Sequence, residues 1–336
     1  MQTAQKARDV TIREALVQGI RVLKEAGVES PQLDCAVLLA SALGVTKDKV
    51  YVEAGQEIDP ARLLLFQAML ERRARREPVQ YITGAREFMS LDFEVGPGVL
   101  VPRPETETLV EVVKDLIGRD PRAEPEYLLA DIGTGSGAIA VAIALATSTA
   151  SWGGAASPAS WGGATSPAAL PGAHACSSDK SGRPHRAVMI LATDTSFEAL
   201  EVAERNAARH GVEGVITFLQ GDMWQPLDAA GLAGRLDGVV SNPPYIATQE
   251  MEILQPEVRM FEPREALDGG EDGLSLHRIL ASGAPKFLKP GGFLALEVGA
   301  GQAAPVRTLL ESAGIRDCRF VEDLRGIARV VYGFRA

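Results

Sequence analysis

YLLADIGTGSGAIAVAIALA, residues 127–146, decides the fold. An apolar run of strand length stops at Asp131-Ile132-Gly133-Thr134-Gly135-Ser136-Gly137, and an apolar helical stretch begins at Ala138. Glycines at such a turn let the backbone come close to a ligand and leave the first amides of the helix pointing outward. On its own the turn serves nucleotides, dinucleotides and other adenosine cofactors alike. It can also be a glycine-rich turn with no ligand at all.

Downstream, short apolar runs alternate with helical patterns: VMILATD then SFEALEVAERNAARHG, VITFLQGD, LDGVVSNPPY, GGFLALEVG, and a closing pair, RDCRFVED and ARVVYGFR. Strands separated by helices imply an α/β fold with a mostly parallel sheet covered on both faces; the closing pair, with no helix between, implies an antiparallel edge hairpin. This domain is expected over 105–336. Upstream, residues 80–104 alternate apolar and polar positions broken by Gly and Pro, which reads as a β-hairpin linker. Residues 1–79 read as a small all-α bundle, with Ser30-Pro31 and Asp59-Pro60 as helix starts and Gly27 and Gly44 as stops. One segment breaks the rhythm. From about 147 to 186 the chain is rich in Ala, Ser, Gly and Pro and repeats ASWGGAASP as ASWGGATSP, a low-complexity insert expected to be loosely ordered. It carries Trp152, Trp161, His174, Cys176 and His185, without a scaffold that would make them a metal site.

The second strand of the sheet ends at Asp194, an acid suited to hold both ribose hydroxyls of an adenosine cofactor. It lies 57 positions beyond Gly137, against a spacing of about 20 for this role; removing the insert of about 40 residues restores it. After the third strand, Asp222 is placed to meet an adenine amino group and Met223 its ring. The fourth strand delivers Asn242-Pro243-Pro244-Tyr245. The Asn242 side-chain oxygen and the Pro243 carbonyl can together accept both hydrogens of a planar NH2 group, and the Tyr245 ring can stack on it. No histidine sits at a strand end, since His210 closes a helix and His277 lies within one, so hydride chemistry is disfavoured. A glycine turn, a ribose acid and this tetrapeptide point to S-adenosyl-L-methionine and methyl transfer to nitrogen. Orientation is then the main task, with no general base evident and the proton lost to water. Glu297, at the end of the fifth strand, is a further candidate for the cofactor pocket. The run RRARR at 72–76 reads either as a contact to ribosomal RNA or an acidic protein patch, or as a cationic helix terminus.

Bulk properties narrow the class. The chain has 336 residues, 46% hydrophobic and 23% charged, enough for two domains with proper cores. The formal charge of −10 disfavours a nucleic acid as the main partner. No apolar run reaches the roughly 18 residues of a membrane span, and the start of the chain lacks a signal-peptide pattern, so a cytoplasmic protein is expected. Three scattered cysteines suggest neither disulfides nor a zinc site.

PVQYITGAREF, VLVPRPETE, DIGTGSGAIA, ATDTSFEALEVAERNA, SNPPYI and FEPREALDGGEDGL together resemble successive motifs of the HemK/PrmC family of protein-(glutamine) methyltransferases. The resemblance spans nearly the whole chain outside the insert. It implies a class I methyltransferase fold, Rossmann-like with a seven-stranded sheet, and a helical domain that helps recognise the substrate. The substrate it implies is the glutamine of the GGQ loop of peptide chain release factors. Cofactor contacts carry over to Gly133–Gly137, Asp194, the position after Asp222 and Asn242, and substrate contacts to Asn242 through Tyr245. PRPETE, Arg103 to Glu107, either borders the pocket or simply starts a helix. GDMW leaves open whether Met223 or Trp224 packs on adenine. A monomer is expected, and the rival substrates are a ribosomal-protein glutamine or an exocyclic amine of DNA or RNA.

Overall fold

The computed structural model describes residues 10–120, 126–147 and 187–336. The low-complexity insert, with both its tryptophans, lies outside the described residues apart from Thr147, which ends a helix. Two compact units are present: Met1–Ala85 with Leu254–Glu262, and Arg86–Ile253 with Pro263–Ala336. No helix among the described residues is long and apolar enough to cross a membrane.

The first unit is built from helices Ile12–Glu25, Pro31–Leu43, Lys47–Val52, Pro60–Ala74 and Val79–Thr83. Thr11 and Glu14 close a reciprocal capping box on the first helix, and Asp59 accepts the amides of Ala61 and Arg62 at the fourth. Ser30 differs from expectation. Its side chain makes no capping bond, because the residue leaves the extended conformation that aims a cap at the first-turn amides. Residues 80–83, expected to open a hairpin, are helical instead, entered at Pro78 and stopped by Gly84 in the left-handed conformation. Leu23, Cys35, Leu38, Leu39, Phe66 and Leu70 form the core.

The arginine run has an internal use. Arg73 is buried and bonds Asp34 at 2.7 Å and Glu257 at 2.7 Å, while Arg76 grips both Glu257 oxygens at 2.8 and 2.7 Å. Arg72 pairs with Glu77. Burial alone would raise the Glu257 pKa, but hydrogen bonds from Arg76 and Arg73 outweigh it and hold the carboxyl below its ordinary value. Glu257 belongs to the short helix Pro256–Phe261, so the stretch following the Asn242–Tyr245 tetrapeptide is clamped onto the helical unit.

In the second unit, β1 (Ala85–Phe88) and β2 (Leu91–Glu94) form a two-stranded sheet. The main sheet holds β3 (Glu126–Ile132), β4 (Ala187–Asp194), β5 (Ile216–Gln220), β6 (Leu236–Ser241), β7 (Leu288–Glu297), β8 (Ile315–Glu322) and β9 (Ala328–Arg335). Their order is β5-β4-β3-β6-β7-β9-β8, parallel except for β9, which runs against both neighbours. The closing hairpin is inserted with its second strand inward. β8 is exposed or half-buried beyond Ile315 and takes the edge, whereas β9 buries Val330 and Val331 against the interior.

Alternate side chains of the central strands feed two apolar layers. Val240, Phe293 and Ala295 meet Leu109, Val113 and Ile143 on one face; Val239, Leu294 and Leu296 meet Leu280, Phe287 and Leu310 on the other. Gly238 in β6 is required by close approach, since a Cβ there would lie 2.6 Å from Phe293 Cε1 and 2.8 Å from a Leu129 methyl.

Gly238→Ala is expected to lower stability by about 1–3 kcal/mol, the usual range for overpacking a core, as read by chemical denaturation. Glu257→Ala leaves Arg73 buried without its second carboxylate and should cost about 3 kcal/mol at neutral pH. Because the folded pKa of Glu257 is depressed, its contribution is complete above about pH 4.3 and fades as pH falls through the lowered value. The variant's denaturation midpoint should therefore depend less on pH in that range than the parent's.

Candidate active site

The sheet reverses its order between β3 and β6, the switch point at whose carboxyl edge open parallel sheets bind ligands. β3 and β6 run in register from Leu129 opposite Gly238 to Asp131 opposite Val240, and the Ser241 hydroxyl donates to the Ile132 carbonyl at 2.6 Å. The glycine turn and the Asn242 tetrapeptide thus leave the sheet side by side.

Gly133, Gly135 and Gly137 all take positive φ. The Gly133 and Thr134 amides donate to the Thr193 carbonyl at 2.8 and 2.9 Å, folding the turn over the end of β4, and the Gly135 amide donates to Asp194 Oδ2 at 2.9 Å. A Cβ at Gly133 or Gly135 would meet no protein atom within 4 Å, whereas at Gly137 it would press on Ala203 at 3.0 Å. The first two therefore keep space open on the cavity side, and the third lets helix Phe197–Arg209 close in. Beneath the turn, burial pushes the Asp131 pKa up to about 7, opposed by the Thr134 hydroxyl bonded to it at 2.7 Å and reinforced by Asp194.

A cavity of about 680 Å³ opens here, within the range of small-molecule sites. Gly133, Thr134, Gly135, Ser136, Asp194, Asp222, Met223, Asn242 and Pro244 line it, so nine of the residues singled out in the sequence converge. Asp194 spends one lone pair of each oxygen on the amides of Gly135 and Ser196, which leaves both oxygens able to accept ribose hydroxyls. Gly137, Pro243 and Tyr245 do not border the cavity. Tyr245 turns its hydroxyl toward Glu297 Oε1 at 3.4 Å, and its carbonyl accepts from Gln302 at 2.8 Å. Burial, reinforced by Glu297, raises its pKa.

The pair left open by the sequence separates in space. Trp224 stacks on Phe287 with centroids 5.0 Å apart and planes 6° from parallel, and donates its ring N–H to the Ile279 carbonyl at 3.0 Å. Met223, held at φ 48°, faces the cavity. Glu297 is fully buried and does not line the cavity, contrary to expectation; as the last residue of β7 it sits behind Tyr245.

PRPETE divides its labour. Arg103 and Thr106 line the cavity, Glu105 pairs with Arg325 at 2.5 Å, and Glu107 accepts the Met89 amide at 2.7 Å at the tip of the β1–β2 turn. Thr106 was not distinguished by the sequence, yet its hydroxyl accepts the Asn242 side-chain N–H at 3.1 Å. Pro263, Ala266 and Leu276 also line the cavity, with no pattern to announce them. Residues 263–273 brace the tetrapeptide from behind: Ile246 donates to the Leu267 carbonyl at 3.0 Å, Gly269 donates to the Ile246 carbonyl at 2.8 Å, and a Cβ on Gly269 would strike the Pro244 carbonyl at 2.8 Å.

Two family models match, the PrmC N-terminal domain over residues 14–84 and an RMKL-like methyltransferase domain over 122–253. The release factor glutamine methyltransferase of Geobacter sulfurreducens is 39% identical over 96% of this chain and 96% of its own length. That of Moorella thermoacetica is also 39% identical, over 97% and 99%. The chain belongs to the release factor glutamine methyltransferases. As a member of that family it is a methyltransferase, and its seven-stranded sheet is the class I arrangement. The catalytic domain of hMettl16, solved with a MAT2A 3′UTR hairpin, shares the fold at 17% identity and a TM-score of 0.50, covering 78% of this chain and 81% of that one.

The two neighbours on the turn after β5 should behave oppositely. Met223→Ala is expected to leave thermal stability near that of the parent and to raise the dissociation constant of an adenosine ligand several-fold, measured by calorimetry. Trp224→Ala should lower stability by about 1–3 kcal/mol, as for a half-buried aromatic stacked against the core, with little change in that constant.

Proposed function

We propose that this chain transfers a methyl group from S-adenosyl-L-methionine to the side-chain amide nitrogen of the glutamine in the GGQ loop of peptide chain release factors. The observation that carries the reading is the position of Asn242. It lines the same cavity as the glycine turn, at the carboxyl end of the neighbouring strand, and gives its N–H to Thr106. Its oxygen is thereby left for a ligand, and a primary amide has the two hydrogens such a site accepts.

The cofactor fits what the residues offer: open space at Gly133 and Gly135, a carboxylate at the end of β4, and the Met223 side chain at the end of β5. When bound, S-adenosylmethionine supplies a methyl group already activated by its sulfonium. An amide nitrogen is a poor nucleophile because its lone pair is delocalised, so the contribution of the protein is orientation. Asn242 Oδ1 accepts an N–H of the amide and aims the nitrogen; the Pro243 carbonyl, expected to take the second N–H, does not border the cavity. The Asn242 oxygen also favours the positive charge that grows on nitrogen as its new bond forms.

Labelled methyl transfer tests this directly, with a release factor, its GGQ-loop Gln→Ala variant and nucleic acid offered as acceptors. Label is expected on the first alone; label that persists on the loop variant, or that goes only to nucleic acid, rejects the reading. Asn242→Ala should lower kcat by about 100-fold or more, the scale of losing an electrostatic acceptor in a dry site, and leave cofactor affinity within a few-fold of the parent.

A further inference from the structure

An amide side chain can present either its oxygen or its NH2 to a ligand, and only the oxygen suits a substrate NH2 group. What fixes the choice at Asn242 lies behind it. Its Nδ2 donates to Thr106 Oγ1, and Thr106 is itself buried. The Thr106 side chain lies close enough to the Glu297 carboxylate to favour its ionised form. Glu297 stands level with Asn242, because Ser241 and Leu296 are register partners on β6 and β7, and it has no solvent exposure. Its Oε1 faces the Tyr245 hydroxyl, its Oε2 has no hydrogen-bond partner among the described residues, and its own carbonyl is held by His277 Nε2 at 2.9 Å.

A hydroxyl carries one proton. If that proton is given to the Glu297 carboxylate, Thr106 can offer Asn242 only a lone pair, so Asn242 must turn N–H toward Thr106 and oxygen toward the cavity. If Glu297 is protonated it can donate to Thr106 instead; the Thr106 proton then faces Asn242, favours the flipped amide, and sets NH2 against the NH2 of the substrate. We propose that Glu297 is a positioning residue which, through Thr106, fixes the Asn242 side chain with its oxygen toward the substrate amide. This rests on the Asn242 reading above and adds to it the device that orients the acceptor.

The groups around Glu297 place the switch in an accessible range. Burial pushes its pKa up to about 7, with Glu105 raising it further and Thr106, Arg329 and Tyr245 drawing it down. Arg329 reaches from β9 and is itself paired with Asp323 at 3.1 Å, while Glu105 is paired with Arg325. The working form is the ionised one, so turnover should rise with pH through about 7 and then level off.

The test is a kcat–pH profile with release factor as acceptor, together with cofactor dissociation constants, for the parent and for Thr106→Val, Thr106→Ser, Glu297→Gln and Asn242→Ala. Thr106→Val and Glu297→Gln are each expected to lower kcat at pH 8 by about 10-fold, the scale of one hydrogen bond, with cofactor affinity within about 3-fold. Glu297→Gln should lose the acid limb near pH 7, and Thr106→Ser, which keeps the hydroxyl, should restore both rate and profile. Parental kcat in Thr106→Val and Glu297→Gln, an acid limb that survives in Glu297→Gln, or a Thr106→Ser variant as slow as Thr106→Val overturns the proposal. Asn242→Ala separates the two levels: if it keeps parental turnover, the acceptor role of Asn242 itself fails; if it is inactive while the Thr106 and Glu297 variants are unaffected, only the positioning role fails.

Discussion

The parallel pairing of β3 with β6 is the contact on which the site depends. It carries the glycine turn and the Asn242 tetrapeptide to one edge of the sheet, and the Ser241 hydroxyl on the Ile132 carbonyl pins their last residues together. The pairing requires two strands buried on both faces, and it tolerates no side chain at Gly238, where the Phe293 ring and Leu129 fill the space a Cβ would take. A methyl donor and a nitrogen acceptor must be held within bonding reach. In the proposed reading, that proximity comes from neighbouring strands of a packed sheet.

Around that pairing, residues distant in sequence brace Asn242 and the residues that follow it from several directions. Thr106, from the turn before helix Glu107–Arg119, takes the Asn242 N–H. The stretch from Leu267 to Gly269 bonds the backbone at Ile246, and Gln302 holds the Tyr245 carbonyl. Between these braces, residues 254–262 depart to the helical unit, where Glu257 is gripped by Arg73 and Arg76. The arginine run that reads as a surface feature in the sequence is in large part spent on this clamp.

Much of the fold was legible because its signals are local. Alternation of apolar runs with helical patterns gives a parallel sheet, and the glycine turn and the acid at the end of β4 are recognisable from strand ends alone once the insert is discounted. Errors arose where neighbours in space decide. Tyr245 has the chemistry to stack on a substrate, but burial beside Glu297 turns it from the cavity. Residues 80–83 have a strand-like pattern, yet Pro78 and Gly84 bracket a helical turn. Sequence left Met223 and Trp224 equally suited to pack on adenine, and the flat face of Phe287 is what holds the tryptophan against the core instead.

The sequence by itself determined the class of chemistry, because a planar NH2 acceptor beside an adenosine turn is a matter of residue types at strand ends, and it determined the family through motifs spread along the chain. Only the tertiary structure decided which of those residues face the cavity, and that Thr106 and Glu297 stand behind Asn242. Their positions come from hydrogen bonds and burial contributed by three separated segments, and no local pattern encodes the desolvation that shifts Glu297 or the bond from Asn242 to Thr106.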